Sequence, residues 1–364
     1  MSYNTCMTTL KRIGFCCKWL NDPSECGGMK VNAVDRDLNG RSTTMRWLRE
    51  HPAEAEQRQW DIMNHNTAAA VKLIKRVATL PENRRMVRLG SEMLQGYTEP
   101  SWIDWWQQTD VQNHLEKIFA PIGETARRLG VRLSFHPGQF CCIVSENPGI
   151  VERSIEELEY HADMARWMGY GLDKLDFKIN VHLSGKLGVA GFDTAWQKMS
   201  PELQNCLTLE NDEYQAGLDV LLPLGKRVGI VLDIHHHFIN TGEYINSQDH
   251  RISQVIDSWQ GVRPAIHYSQ SREEHIAEFI NIMPSLEQLL TITNKAKLRS
   301  HSDFYNNKQL NAWALTHLEW ADIQTESKGK NLAAEQLFNQ WQESIEIVFS
   351  PVRQYMPDGV ALHI

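Results

Sequence analysis

The stretch VLDIHHHF, residues 231–238, places Asp233 and the consecutive histidines His235, His236 and His237 at the end of an apolar run. Carboxylates and imidazoles are the side chains that hold divalent cations and exchange protons near neutral pH. Side chains alternate along a strand, so Asp233, His235 and His237 would share one face while His236 pointed to the other. If the strand ends near His235 and the chain turns, Asp233 and His236 can instead converge as ligands of a metal site. The competing reading is a hydrogen-bonded histidine cluster at a barrel rim. The same residue types recur along the chain: His136 in LSFHPGQF, His182 in INVHLSG, Glu210 in LTLEND, His267 in IHYSQS, His301 and Asp303 in HSDF, and Glu326 in TESK. Hard carboxylates mixed with imidazoles, without an obvious thiolate, suit Mn²⁺, Zn²⁺ or Fe²⁺. A carboxylate such as Glu210, central in the strand order, can bridge two ions, and bridged ion pairs cleave phosphodiesters.

These residues need strands to bring them to one face. Apolar runs bounded by turn signals occur at 12–17, 86–91, 131–138, 177–185, 206–212, 228–234, 262–269 and 320–327. Helical periodicity fills the intervals, clearest at 61–80, 111–130 and 150–169. Buried strands alternating with helices imply parallel strands and right-handed crossovers. Eight such units predict an α/β fold, a TIM-type (β/α)8 barrel, with a doubly wound sheet as the other option. The chain 1–364 then reads as a single barrel domain, with a long loop at 21–50 after the first strand and an insertion at 270–300 after the seventh. Both leave from the carboxyl-terminal face, where barrel active sites lie and where His136, His182, Glu210, Asp233, His267 and Glu326 would end their strands. Trp102, Trp105 and Trp106 in TEPSWIDWWQ have helical spacing and read as packing residues rather than a base-stacking platform.

Composition narrows the class further. The 364 residues are 42% hydrophobic, enough for a sizeable core, and no apolar run is long enough to cross a bilayer. The N-terminus lacks the build of a signal peptide, which predicts a cytoplasmic protein without a membrane partner. Seven cysteines, including the adjacent pairs Cys16-Cys17 and Cys141-Cys142, do not form a disulfide framework and read as buried reduced thiols on strands. A net charge of −8 argues against a nucleic-acid partner at first sight, yet carboxylates that hold cations make the formal count too negative. Basic patches are available at Lys11-Arg12, at Arg41, Arg46 and Arg49, at Arg84, Arg85 and Arg88, and at Arg127-Arg128.

The segments RIGFCC, LSFHPGQF, INVHLSG, LTLEND, VLDIHHHF, IHYSQS, HSDF and TESK, in this order over most of the chain, resemble the UV damage endonuclease family. That family resembles endonuclease IV in fold: a barrel with a trinuclear metal site that incises DNA on the 5′ side of a lesion, leaving 3′-hydroxyl and 5′-phosphate ends. The resemblance implies that His136, His182 and Glu210 hold one ion and that Glu210, Asp233, His267 and Glu326 hold a second. His236, His301 and Asp303 would hold a third, with His235 and His237 outside the ligand set. Two to three divalent ions are expected, Mn²⁺ first, with Zn²⁺, Fe²⁺ or Mg²⁺ as options. Glu210, Asp233 and Glu326 would carry the chemistry on damaged double-stranded DNA, the protein acting as a monomer. Gln139, Phe140, Phe15 and Trp19 occupy the positions that would probe the lesion. The sequence departs from the family pattern at Phe15 and Phe140, where tyrosine is usual, at Trp19 in place of asparagine, and at Ala265, where a lysine usually stands near the metals. A further histidine expected after the second strand has no match. Two other readings remain at this point: a metal-dependent sugar isomerase or epimerase, and an abasic-site endonuclease or catalytically altered DNA-binding relative.

Overall fold

The eight apolar runs form eight parallel strands in the computed structural model, which describes residues 10–22 and 34–349. They are β1 (Ile13–Cys16), β2 (Met86–Arg88), β3 (Arg132–Phe135), β4 (Lys178–His182), β5 (Leu207–Glu210), β6 (Gly229–Val231), β7 (Ala265–Tyr268) and β8 (Asp322–Thr325). The order β6-β5-β4-β3-β2-β1-β8-β7 follows the chain around a circle. It closes where Asp233 bridges His267 in parallel and the His267 N–H donates to the Leu232 carbonyl at 3.0 Å. The strands are short and buried on both faces, so they read as near-continuous apolar runs.

The connecting helices follow from local signals. The helix Pro52–Ala78 starts with proline in its first turn and buries Ile62, Met63, Ala70, Leu73, Ile74 and Val77 at three- and four-residue spacing. The helix Thr109–Leu129 stops at Gly130, whose φ of 67° is left-handed. The helix Pro148–Trp167 is capped by Asn147, which accepts the Gly149 N–H at 2.9 Å. At the amino-terminal end of the barrel, fully buried Asp322 accepts from the guanidinium groups of Arg132 and Arg263, each at 2.8 Å, and from the Arg12 backbone N–H at 2.9 Å. That network ties β8 to β3 and to the approach to β1.

Several expectations change in detail. The segment 21–50 is not loop throughout, because Thr44 caps a short helix, Met45–Glu50; residues 23–33, with Cys26, lie outside the described residues, as does Cys6. The 270–300 segment holds several short helical turns, among them Leu286–Ile292 and Lys295–Leu298. Of the described cysteines, all free, only Cys16 lies on a strand; Cys141 and Cys142 are in the loop after β3 and Cys206 ends a helix. Trp105 and Trp106 are buried in the core, as packing residues are. No helix among the described residues is long and apolar enough to cross a membrane.

Candidate metal centre

The site is built by strands that end in register. His182 of β4 lies beside Glu210 of β5, and β6 runs next to β5 and stops at Val231. The chain then turns directly into the helix Ile234–Thr241, with Asp233 as its N-cap. Asp233 and His236 are thus three residues apart across a strand-to-helix junction, and both side chains reach the barrel mouth. The His236 imidazole nitrogen Nδ1 is 3.9 Å from Asp233 Oδ2 and 3.8 Å from Glu210 Oε1. His235 and His237 point elsewhere: His235 Nε2 lies 3.1 Å from the Leu298 carbonyl and His237 Nε2 is 3.1 Å from Glu243.

Glu210 is the hub. Its Oε2 is 3.1 Å from His136 Nε2 and 4.0 Å from His182 Nε2, and its Oε1 is 3.0 Å from His267 Nδ1. His267 Nδ1 is also 3.4 Å from Glu326 Oε1. Ligand atoms of His136, His182 and Glu210 lie within 4.8 Å of one another, as do those of Glu210, Asp233, His267 and Glu326. The buried Asp233 Oδ2 has no hydrogen-bond partner, and Glu210 Oε1 and His267 Nδ1 have none but each other. Buried polar atoms left in this state cost about 1–3 kcal/mol each. Acceptors converging without donors are what a cation satisfies, so the residues present fit divalent ions.

The electrostatics agree with a charge-dense, water-poor cluster. Burial pushes the Glu210 carboxyl up, but the imidazoles of His267 and His182 outweigh it and hold it well below the usual carboxylate range. Glu326 behaves likewise beside Arg88. Burial raises Asp233, with Glu210 and Glu326 adding to the effect. Burial pulls His236 down, yet Asp233, Glu210 and Glu213 push it up to about 9.

Other expected residues fall in different places. His301 reaches the same mouth: its ring is 6.2 Å from that of His236, and its Nδ1 lies 3.1 Å from the Glu326 carbonyl. Asp303 does not join it; the residue is solvent-exposed, and its backbone N–H donates to Glu273 at 2.7 Å. Gln139 and Phe140 are exposed beside the site, Phe140 by 66%. Phe15 and Trp19 are not presented to a ligand, since both are buried in the core with their rings 5.8 Å apart. Among the basic patches, Arg84 is buried against the Asn331 carbonyl and Glu335, and Arg88 donates to Glu326 inside the centre, so neither is a surface cation.

Sequence reasoning missed four residues. Asn180 donates to Glu210 Oε2, and Lys178 Nζ lies 2.8 Å from His267 Nε2. Both are buried on β4, where K-I-N-V-H alternates polar and apolar residues and so puts Lys178, Asn180 and His182 on one face, a signal legible in the sequence. The lysine missing at position 265 thus has a counterpart that reaches His267 from another strand, and burial draws its amine down to about 7. The third is Arg88. The fourth is Glu213, buried in the loop after β5 with Oε2 3.9 Å from His236 Nδ1.

A cavity of about 500 Å³ opens over the centre, and a neighbouring one of about 580 Å³ shares His136 and is lined by Arg41, Met93, Tyr97 and Phe140.

Comparison with known proteins gives a consistent picture. Residues 25–355 match the family UV-endonuclease UvdE. The UV DNA damage endonuclease of Bacillus pumilus is 29% identical over 198 residues, which span 52% of this chain but only 59% of that protein. The UV DNA damage endonuclease of Bacillus mycoides is 24% identical over 308 residues, covering 80% of this chain and 85% of its own. The crystal structure of SacUVDE has the same fold, with a TM-score of 0.70 at 20% identity, covering 92% of this chain and 99% of that one.

Proposed function

The chain belongs to the UV-endonuclease UvdE family, and from that premise we propose that it is a metal-dependent DNA repair endonuclease. It incises the phosphodiester on the 5′ side of a UV-type lesion and leaves 3′-hydroxyl and 5′-phosphate ends. The observation that carries this reading is the convergence of Glu210, Asp233, His267 and Glu326, with orphaned buried atoms, at the barrel mouth beneath an open cavity.

His136, His182 and Glu210 would hold one divalent ion and Glu210, Asp233, His267 and Glu326 a second, while His236 and His301 would serve a third. Mn²⁺ is the first choice, with Zn²⁺, Fe²⁺ or Mg²⁺ as alternatives. Such ions supply Lewis-acid chemistry: a more acidic water and a stabilised leaving oxygen. The protein's own part is to keep the ligands aimed. Asn180 fixes Glu210, the Pro137 carbonyl takes the His136 Nδ1 proton so that Nε2 faces Glu210, Arg88 fixes Glu326, and Lys178 orients His267 so that Nδ1 faces the carboxylates. Gln139 and Phe140, exposed beside the site, would probe an opened duplex. The enzyme acts as a single-domain monomer on damaged double-stranded DNA.

Metal-stripped protein tests this reading. Wild-type protein reloaded with Mn²⁺ should hold two to three ions per chain by elemental analysis and regain incision of a photoproduct-containing duplex; one ion or fewer per chain would contradict the shared-carboxylate centre.

A further inference from the structure

Among the described residues, the exposed aromatic side chains are Phe140 and Tyr214, and both border the metal centre. Tyr214, 52% exposed, stands in the loop after β5, and the cavity over the centre is lined by it together with Gln139, Gln215 and Arg299. This loop is tightly held. Asp212 Oδ1 accepts the backbone N–H groups of Tyr214 at 2.7 Å, Gln215 at 2.5 Å and Ala216 at 3.3 Å. Gln215 Oε1 in turn accepts the Gly185 N–H at 2.6 Å, fastening the loop to the one that follows β4. An aromatic ring exposed to water on a backbone fixed at this many points loses little further freedom when something stacks on it.

The ring has a cationic neighbour. The Arg299 guanidinium carbon is 5.7 Å from the Tyr214 ring centroid, and Arg299 Nη1 is 3.0 Å from Glu213 Oε1. Glu213 is buried and its other oxygen approaches His236 Nδ1, so it connects the guanidinium to the metal centre. Arg299 remains 44% exposed, and a guanidinium carries about five N–H donors, of which the contact with Glu213 uses one. Arg88, the other arginine lining the cavity, is committed to Glu326.

We propose that Tyr214 and Arg299 form a nucleotide subsite: a base next to the scissile phosphodiester stacks on the free face of Tyr214, and its phosphate takes the spare donors of Arg299. Stacking of this kind needs a π face and no hydrogen-bond code, so the subsite holds the strand in place whatever the base. It complements the loop after β3, where Gln139 lines the same cavity and Phe140 the neighbouring one. The inference rests on the endonuclease reading and adds a substrate contact to it.

The test uses the metal-loaded full chain and photoproduct-containing duplexes with 2-aminopurine placed in turn at each position flanking the lesion. Wild-type protein should change the fluorescence of one flanking 2-aminopurine on binding. Tyr214→Ala should lose that change and weaken Kd about tenfold, while Tyr214→Phe keeps both and Tyr214→Ala retains the wild-type metal content. Arg299→Gln should weaken Kd and lower its salt dependence by about one unit of slope. If wild type incises damaged duplex and Tyr214→Ala matches it in Kd and fluorescence, the subsite fails alone. If wild type neither binds nor cuts any of the duplexes, the endonuclease reading fails and takes the subsite with it.

Discussion

Asp233 caps the helix that carries His236: its Oδ1 accepts the His236 backbone N–H at 2.7 Å, while its Oδ2 stands 3.9 Å from His236 Nδ1. One carboxylate thus fixes the start of a helix and leaves its second oxygen facing the proposed metal centre. The two roles separate in mutants. Asn is as good an N-cap as Asp, so Asp233→Asn should leave the thermal midpoint of the metal-free protein within a few degrees of wild type and yet reduce bound metal by at least one ion. Asp233→Ala should lose the metal and also about 1 kcal/mol of stability. Thermal melts beside elemental analysis check this; full metal content in Asp233→Asn would remove Asp233 from the ligand set.

Metal affinity should rise with pH. Despite burial, the carboxylates of Asp233, Glu210 and Glu213 hold the His236 imidazole up at about 9, and burial raises Asp233. To bind an ion, each group must give up its proton, so the apparent Mn²⁺ affinity climbs between pH 6.5 and 9, by up to about tenfold per unit for each proton released. The linkage to stability has the opposite sign for metal-free protein. A histidine whose folded value is raised stabilises the fold fully below its ordinary value, and that contribution fades as pH rises through about 9. Calorimetric titrations across this range should show the trend; a pH-independent affinity would contradict it.

Ala265 and Lys178 give a third prediction. Ala265 is buried against Leu175, Val231 and Trp259, whereas Lys178 already contacts His267 from β4. A lysine introduced at 265 would have to enter that apolar cluster. Ala265→Lys should therefore destabilise the protein by about 2–4 kcal/mol rather than speed incision. Lys178→Met keeps the volume and removes the nitrogen, and should weaken Mn²⁺ binding while preserving the fold. Denaturant melts and metal titrations of the two variants separate these outcomes; an Ala265→Lys protein as stable as wild type would show that the space is open.

The barrel was legible because buried parallel strands are continuous apolar runs with turn signals between them, and every strand lies within its run. Most of the centre was legible for a related reason, since carboxyl-terminal strand ends in a barrel share one face. The convergence of Asp233 with His236 depended on where β6 stops, which alternation alone does not say. Asp303 entered the ligand set only through the family resemblance, and HSDF lies in irregular backbone that leaves the residue solvent-exposed. Phe15 and Trp19 were read as surface probes by position, but their rings are large apolar groups beside the helix Pro52–Ala78, and burial wins; the Arg76 guanidinium covers the Trp19 ring at 5.4 Å. In the sequence Arg88 reads as part of a basic patch and Lys178 is not singled out, yet a buried charge needs a partner, and here the partners are Glu326 and His267.

DNA affinity should draw on a few surface cations. Arg46 and Arg49 are exposed on the helix Met45–Glu50, and Arg41 lines the cavity next to the centre. Replacing the three with Ala should lower the slope of log affinity against log salt by up to about three units. Anisotropy titrations at several salt concentrations measure this directly, and an unchanged slope would place the DNA elsewhere.

The central claim is that the Glu210-centred cluster cuts damaged DNA, and mapping the nick tests it most directly. Wild-type protein and Glu210→Gln, each supplied with Mn²⁺, would be incubated with end-labelled duplexes containing a UV photoproduct, an abasic site or no damage. The expected result is a single wild-type nick on the 5′ side of the photoproduct with 3′-hydroxyl and 5′-phosphate ends, little cutting of undamaged duplex, and no nick with folded Glu210→Gln, because the amide supplies no charge to either ion. Equal cutting by folded Glu210→Gln, or no preference of wild type for the photoproduct, would contradict it.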